Sequence, residues 1–207
     1  MGTVERRERE RAATRAKILD AARELFVTEG YDAVTMRRIA DRIEYTAAAL
    51  YRHFPDRQAL LDAVVEADFR TFADALRARV GDEADPIERI RLAGLAYVDF
   101  AVRYPSHYRL LFMTPRPERP GSASGAAGRD AYLILRRAVE AALAAGRFRP
   151  DLTDPGVVTH ALWAAVHGVA ALHVARQGGS VPEAEPRSVA AVVCDAVLDG
   201  LARRRPR

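Results

Sequence analysis

The stretch TMRRIADRIEYTAAALYRHFPDRQAL, residues 35–60, decides how the rest of this chain is interpreted. Thr35 and Thr46 are hydroxyl residues, each placed where it can cap the start of a short helix. The helix after Thr46 begins with three alanines, so its tip is unusually slim. A slim helix can approach another surface closely, and the major groove of DNA, about 12 Å wide, admits one helix. The pattern therefore predicts a helix-turn-helix.

Composition places the chain among globular proteins. It has 207 residues, of which 49% are hydrophobic and 29% charged, and its net charge of +4 is compatible with nucleic acid without requiring it. No apolar run approaches the roughly 18 residues of a membrane span, so we expect no membrane partner. The N-terminus is charged and lacks the apolar core of a secretory signal, which favours a cytoplasmic location. With Cys194 as the single cysteine, no internal disulfide is expected.

Helical periodicity recurs along nearly the whole chain, and strand-type alternation does not. The predicted fold is therefore all-α, with an N-terminal three-helix domain, a C-terminal helical bundle and about nine helices in total. We expect a basic flexible arm over 1–13, a helix-turn-helix domain over 14–56 and a helical domain over 57–207, with a mobile Pro/Gly/Ser-rich loop at 114–128. The predicted helices cover about 14–28, 36–43, 47–53, 57–80, 86–103, 105–113, 129–145, 155–176 and 186–203.

The N-terminal part resembles the TetR family of transcriptional regulators. The family's pattern appears as Phe26 followed by Gly30-Tyr31, then as Thr35–Ala40, then as Leu50–Phe54, and the likeness covers about residues 14–62. The resemblance implies a DNA-binding domain. One departure lies in the turn before the third helix, where the family usually has a glycine and this chain has Glu44.

The C-terminal part resembles the TetR-family subgroup with a WHG-type ligand domain. Its signature stands here as Trp163, His167 and Gly168, and Tyr104–Phe112 fits the same subgroup's second pattern. The resemblance implies an all-helical domain that binds an effector and forms a homodimer, with helices 8 and 9 pairing across a two-fold axis.

Each candidate DNA contact also has a purely structural interpretation. The alanines after Thr46 are good helix formers, although their methyl groups also suit contact with bases. Tyr51 and His53 can be structural aromatics, and the resemblance favours phosphate contact. Arg57 opposes the dipole of the helix that it begins, and a phosphate would supply the missing anion. The predicted DNA-contacting set is Thr35, Arg37, Thr46, Ala47, Ala48, Tyr51, His53 and Arg57.

The C-terminal domain offers a candidate effector site but no metal site. His160 and His167 stand roughly 10 Å apart along one helix, too far to share an ion held at about 2 Å. Trp163 is either plain core or the wall of a ligand cavity. No catalytic residue, metal ligand or cofactor is predicted. The residues expected near an effector are Tyr97, Phe100, Tyr108, Phe112, Trp163 and His167.

The leading hypothesis is a homodimeric repressor that binds a near-palindromic DNA operator and is released by an unknown small-molecule effector. A transcriptional activator of the same fold is one alternative, and non-specific DNA binding is another. A helical metal-dependent enzyme is the alternative from a different class. The chain has neither a nucleophile–base spacing nor a phosphate-cradling glycine loop, so we predict that it is not an enzyme.

Overall fold

The computed structural model describes residues 3–117, 123–175 and 184–202. Over these residues the chain forms nine α-helices and no strand, so the all-α prediction is confirmed. A single isolated bridge pairs Phe148 with Ala202. The helices are α1 (Thr3–Glu29), α2 (Met36–Arg42), α3 (Ala47–Tyr51), α4 (Arg57–Val80), α5 (Pro86–Arg103), α6 (Pro105–Phe112), α7 (Ala123–Ala144), α8 (Pro155–Ala175) and α9 (Pro186–Leu201).

Helix α1 is longer than its apolar pattern predicts. It begins at Thr3, so the arm expected to be flexible over 1–13 is helical in its described part. Arginine and glutamate alternate there at helical spacing, and Nε of Arg6 lies 3.5 Å from a carboxylate oxygen of Glu10 one turn later. Such pairs support a solvent-exposed helix without any apolar face. Apolar periodicity therefore marks only the packed part of α1.

The turn between α2 and α3 is closed by a residue in the left-handed region. Glu44 has φ +59°, and the backbone N–H of Tyr45 donates to the carbonyl of Ala40 at 2.9 Å. The N–H of Glu44 also donates to the carbonyl of Asp41 at 3.3 Å, which completes a Schellman cap. Glycine favours this conformation because a Cβ is strained there. Glu44 therefore occupies a strained backbone conformation that glycine would adopt without strain.

The chain divides into two compact units. The first unit comprises Met1–Phe69 and Ser106–Ala126, and the second comprises Arg70–Pro105 and Ala127–Arg207. This division differs from the predicted boundary between 56 and 57, because α4 continues across it and α6 joins the first unit.

Buried apolar side chains from each helix of the first unit form its core. In α1 the buried positions recur at helical spacing, and α2 and α3 each bury the face opposite their exposed residues. Fully buried members of this core are Ile18, Ala22, Phe26, Ile39, Leu50, Leu60 and Val64.

In the second unit, α5, α8 and α9 pack against one another. A Cβ added to Gly94 in α5 would lie 2.8 Å from Sγ of Cys194 in α9 and 3.2 Å from Cγ1 of Val166 in α8. The glycine is therefore required for this close approach. Burial raises the pKa of Cys194 to about 11, consistent with an inert packed thiol.

Helix α7 begins at Ala123, earlier than the predicted 129. Of the predicted loop at 114–128, residues 118–122 lie outside the described part of the chain. Helix α8 is long and apolar enough, with a mean hydropathy of 1.4 over an 18-residue window, to cross a bilayer by length and composition alone. Core helices of water-soluble proteins pass the same test, and the buried face of α8 packs on α5 and α9.

Candidate nucleic-acid interface

The tip of helix α3 presents small side chains to solvent. Oγ1 of Thr46 accepts a hydrogen bond from the backbone N–H of Ala49 at 3.2 Å, which confirms the predicted N-cap. Ala48 is exposed and Ala47 half-buried, whereas Leu50 on the opposite side is fully buried. Leu50 therefore anchors α3 in the core, and the helix offers a narrow, methyl-lined edge to a partner.

Polar residues on α2 and at the end of α3 flank this edge. Thr35 caps α2 by accepting from the N–H of Arg38 at 3.2 Å. Arg38 is paired with Glu29, with 2.7 Å between Nη2 and Oε1, whereas the exposed Arg37 has no ion pair among the described residues. Tyr51 is 53% exposed. Of the two neighbouring arginines, Arg37 is therefore the one available to an external anion.

Three arginines converge on His53 at the end of α3. Burial, followed by the positive charges of Arg11, Arg52 and Arg15, holds the pKa of His53 below its usual value. The guanidinium of Arg15 also lies over the ring of Phe54, 5.1 Å from its centroid. In the described part of the chain no carboxylate pairs with any of these three arginines. The cluster is therefore a concentration of uncompensated positive charge around His53, just after the C-terminal end of α3.

The sequence analysis did not predict this cluster, because one of its members, Arg11, belongs to the segment expected to be flexible. A signal was present in the spacing of Arg7, Arg11 and Arg15, which recur every four residues and so share one face of a helix. That spacing has meaning only once α1 is known to extend to Thr3.

Arg57 has a different position from the other predicted DNA contacts. Its Nη1 donates to the carbonyl oxygens of Tyr31 at 3.0 Å, Asp32 at 3.2 Å and Val34 at 2.8 Å. Its guanidinium also stacks on the Tyr31 ring at 4.0 Å from the centroid. The carbonyl oxygens thus take the place of the anion expected from sequence. Arg57 holds the α1–α2 loop against the start of α4.

The second unit brings four of the six predicted effector residues into one chain of ring contacts. The hydroxyl of Tyr97 and Nδ1 of His167 form a hydrogen bond of 2.9 Å, and the rings of Trp163 and His167 lie 6.4 Å apart. Phe72 links Tyr97 to Phe100, with centroid distances of 5.3 Å and 5.0 Å. Burial lowers the pKa of His167, which favours a neutral imidazole.

The other two predicted effector residues belong to the first unit. Tyr108 is fully buried and its ring lies 5.1 Å from that of Phe112, which in turn lies 6.0 Å from the ring of Phe69. These contacts arise because α6 packs in the first unit. The six residues are therefore described as one set in each unit, and their grouping around one effector stays a prediction.

A solvent-open cleft of about 350 Å³ lies between α4 and α5 in the second unit, with Phe100 and Tyr104 in its wall. Arg79 and Arg103 also line it. Neither arginine has an ion pair among the described residues, and the guanidinium of Arg103 lies 5.3 Å from the Tyr104 ring centroid. The cleft therefore combines aromatic surface with charges of both signs, because Asp74 and Asp99 line it as well.

Helices α8 and α9 each expose a row of small or apolar side chains, which together we name the α8/α9 stripe. Val157, Leu172 and Val192 are 63%, 59% and 69% exposed. A Cβ added to Gly168 or Gly200 would meet nothing within 4 Å. Apolar surface of this kind, free of charge along its length, is typical of an interface. The stripe consists of Val157, Ala161, Ala164, Gly168, Leu172 and Ala175 on α8 and Val192, Ala196 and Gly200 on α9.

The two α8 histidines considered above as metal ligands, His160 and His167, make separate contacts. Nδ1 of His160 lies 2.9 Å from the carbonyl oxygen of Gly156, whereas His167 is bonded to Tyr97. Among the residues that the structure describes, no group of three or more His, Cys, Asp or Glu side chains is arranged to hold a metal ion.

Two sequence families match the chain. Residues 18–64 match the bacterial regulatory proteins of the tetR family, and residues 90–197 match the tetracyclin repressor-like C-terminal domain. Over 98 residues the chain is 35% identical to the HTH-type transcriptional activator FasR of Mycolicibacterium smegmatis, covering 47% of this chain and 45% of that protein. It is 33% identical over 98 residues to the nucleoid occlusion factor SlmA of Vibrio campbellii, covering 47% and 50%. The chain thus spans about half the length of these relatives.

Solved structures share the fold over nearly the whole chain. A Rhodococcus sp. RHA1 protein of unknown function is 29% identical with a TM-score of 0.74, covering 91% of this chain and 95% of that one. A tetR-family regulatory protein from Rhodococcus RHA1 is 24% identical with a TM-score of 0.76, covering 92% and 98%. The C-terminal match extends over more than half of the chain, while the finer WHG-type assignment stays a prediction. The chain belongs to the TetR family of DNA-binding transcriptional regulators, whose members are not enzymes.

Proposed function

We propose that this chain is a homodimeric, sequence-specific DNA-binding repressor that a small-molecule effector releases from its operator. The observation that carries the DNA-binding part is the exposed alanine edge of α3 beside a cluster of uncompensated arginines. A duplex supplies both a groove for the edge and phosphates for the charges. Since DNA lies in the bacterial cytoplasm, we place the protein there.

The DNA contacts divide into two kinds. Ala47 and Ala48 approach base edges, where a methyl group can contact a thymine methyl. Thr35, Arg37, Thr46, Tyr51 and His53 face the backbone beside that groove, as their exposure or capping position allows. Arg11, Arg15 and Arg52 extend the phosphate-binding surface. Arg57 is left out of these contacts, since its Nη1 already donates to three carbonyl oxygens.

The α8/α9 stripe is the proposed dimer interface. Two copies related by a two-fold axis would bury the exposed valines and leucine and fill the open space above Gly168 and Gly200. A dimer carries two α3 edges related by the same axis, so its operator is a near-palindrome with half-sites one or two helical turns apart.

The effector is proposed to bind in the second unit, beside the ring chain of Tyr97, Phe100, Trp163 and His167. The cleft between α4 and α5 is one entry to that region, because Phe100 belongs to both. A ligand releases the protein only if it binds the DNA-free state more tightly than the DNA-bound state. The effector's affinity must therefore fall when operator is present.

A transcriptional activator of the same fold is the second candidate. It is favoured by one observation, namely that the relative from Mycolicibacterium smegmatis is named an activator. The two candidates share their DNA contacts and differ in the sign of their effect on a promoter. A reporter gene placed behind the selected operator distinguishes them: deletion of the regulator raises expression for a repressor and lowers it for an activator.

Selection of bound sites from random DNA, followed by affinity measurement at fixed salt, tests the proposal. We expect an enriched near-palindrome that binds at least about a thousandfold more tightly than bulk DNA. Size-exclusion chromatography with light scattering should give about twice the 22.8 kDa mass of the chain. No enriched sequence, or equal affinity for the enriched and bulk DNA, would refute sequence-specific binding.

A further inference from the structure

Helix α6 lies downstream of α5 in the chain, yet it is part of the first unit together with α1–α3. Its Tyr108 and Leu110 are fully buried. The rings of Phe69 and Phe112 meet edge to face at 6.0 Å, which joins α6 to the middle of α4. The compact unit that contains α3 therefore includes α6 in addition to the residues up to Phe69.

A buried charged group lies where α1, α4 and α6 meet. Asp68 of α4 is fully buried, and its two carboxylate oxygens accept three hydrogen bonds of 2.7–2.9 Å from Nε and Nη2 of Arg23 in α1. Nη1 of Arg23 donates to Asp20 at 2.7 Å. Nδ1 of His107 in α6 lies 3.0 Å from Oδ1 of the same carboxylate. Three helices thus share one carboxylate.

This arrangement is directional in a way that an apolar contact is not. A bidentate guanidinium–carboxylate pair fixes both the distance and the plane of its two side chains, so it sets the rotation of α1 relative to α4. A buried carboxylate without partners is energetically costly. Asp68 should therefore keep its contacts when its partners shift. The position of His107, and hence of α6, is therefore transmitted to Arg23.

Helix α1 matters for the nucleic-acid surface in two ways. It carries Arg11 and Arg15, which stand near His53, and it packs against α2. A small rotation of α1 would move these cations relative to the α3 edge. The positions of Arg11 and Arg15 therefore depend on the position of α1.

We propose that Asp68, holding Arg23 on one side and His107 on the other, is a positioning residue for DNA binding, and that α6 is a structural part of the DNA-binding unit. His107 contacts no DNA; it acts through Asp68 and Arg23 on the placement of α1. The predicted effect on DNA binding rests on the proposed function, whereas the predicted effect on the stability of α1 does not.

A matched pair of substitutions at His107 tests the proposal. His107→Asn keeps a polar nitrogen near the position of Nδ1, whereas His107→Leu keeps bulk and removes the polar contact with Asp68. We expect His107→Leu to weaken binding to the selected operator about tenfold, or about 1.4 kcal/mol, and His107→Asn to restore most of that loss. All variants are measured well below their unfolding temperatures.

Thr159→Val is the control for general loss of stability. Thr159 is a fully buried residue of the second unit whose hydroxyl donates to the Pro155 carbonyl at 2.6 Å. We expect this variant to lose stability without losing operator affinity. If His107→Leu binds operator as tightly as the unsubstituted protein, or if His107→Asn binds no better than His107→Leu, the positioning role is overturned.

If the single substitutions prevent folding, the double variant Arg23→Met with Asp68→Leu tests the proposal instead. Apolar replacement of both partners removes the buried charges together and preserves packing volume. We expect this variant to fold and to bind operator more weakly, and unaltered binding would overturn the proposal.

Amide hydrogen exchange separates failure of this inference from failure of the proposed function. If the unsubstituted protein shows no preferred DNA site, the proposed function fails, whereas exchange still tests the coupling. We expect His107→Leu to accelerate exchange in α1 between residues 14 and 29 as well as in α6. Acceleration confined to α6 would contradict transmission through Asp68.

Discussion

Two surfaces of this molecule expose small side chains, and they differ in what surrounds them. Helix α3 begins with Ala47 and Ala48, and its other end is followed by His53, which three arginines surround that have no carboxylate partner among the described residues. Along the α8/α9 stripe, alanines and glycines alternate with valine and leucine, and no charge lies within the stripe.

A small exposed side chain and the residues around it have different roles in binding a partner. A small side chain only permits close approach, since it removes bulk. The neighbours determine the partner: positive charge favours phosphates, whereas apolar surface favours a second apolar surface. Exposed alanine is thus an ambiguous feature in sequence, and it becomes informative once the structure supplies its surroundings.

A charge placed in the α8/α9 stripe should disrupt both dimer formation and DNA binding. Ala164→Glu would bring two carboxylates into the two-fold interface, where burying them costs several kcal/mol. We expect a monomer of 22.8 kDa by light scattering. Operator affinity should fall on the order of a thousandfold, because the two DNA-binding units no longer act together. Ala144→Glu, the same change at an exposed alanine of α7, is the control and should remain dimeric. A dimeric Ala164→Glu protein would remove the stripe from the interface.

The same substitution on the other surface should act on DNA alone. Ala48→Glu puts a negative charge against base edges and phosphates, and we expect operator affinity to fall about a hundredfold with the dimer intact. Ala48→Ser keeps the edge slim and should bind within about threefold of the unsubstituted protein. Fluorescence anisotropy with labelled operator measures both. Equal binding by Ala48→Glu would show that the α3 edge does not face DNA.

Arg52 has no carboxylate partner among the described residues, whereas Arg57 already donates hydrogen bonds to carbonyl oxygens of the protein. Arg52→Gln should reduce the slope of log affinity against log salt by about one and leave stability unchanged, because it removes one phosphate contact. Arg57→Gln should instead lower the free energy of unfolding by about 1–3 kcal/mol, since three carbonyl oxygens lose a charged donor. Salt titrations and urea unfolding of both variants check the pair. The reverse assignment, with Arg57 changing the salt slope and Arg52 the stability, would contradict the positions described above.

The smallest expected effect concerns the turn that orients α3. Glu44→Gly relieves a left-handed backbone at φ +59°, and we expect a gain in unfolding free energy of up to about 1 kcal/mol after the entropy cost of glycine. Urea unfolding measures it. Glu44→Ala keeps the strain and removes the charge, so it should give no such gain. An equal gain from both variants would assign the effect to charge rather than to the backbone.

Local chemistry made much of the fold predictable. The helices capped by Thr35, Thr46 and Asp85 begin where the sequence predicts, because a cap bonds to backbone groups only two or three residues away. The burial of Phe26 and Leu50 in the core is likewise predicted by the helical periodicity of the apolar residues. These features depend on neighbours in sequence.

The parts that were not predictable depend on contacts between distant residues. The carbonyl partners of Arg57 lie 23–26 residues upstream, and Asp68 lies 45 residues from Arg23. No local pattern distinguishes a committed arginine from an available one. The expectation that Tyr108 and Phe112 lie near an effector rests on their aromatic rings, and only contacts between distant residues assign α6 to the first unit.

Methylation interference on the selected operator shows whether the edge of α3 lies in the major groove of DNA, as we propose. Methylation of guanine N7 obstructs the major groove, and methylation of adenine N3 obstructs the minor groove. We predict that binding is blocked by N7 methylation at two patches, one in each half-site, separated by one or two helical turns. Interference confined to adenine N3, with N7 methylation tolerated throughout, would contradict the account.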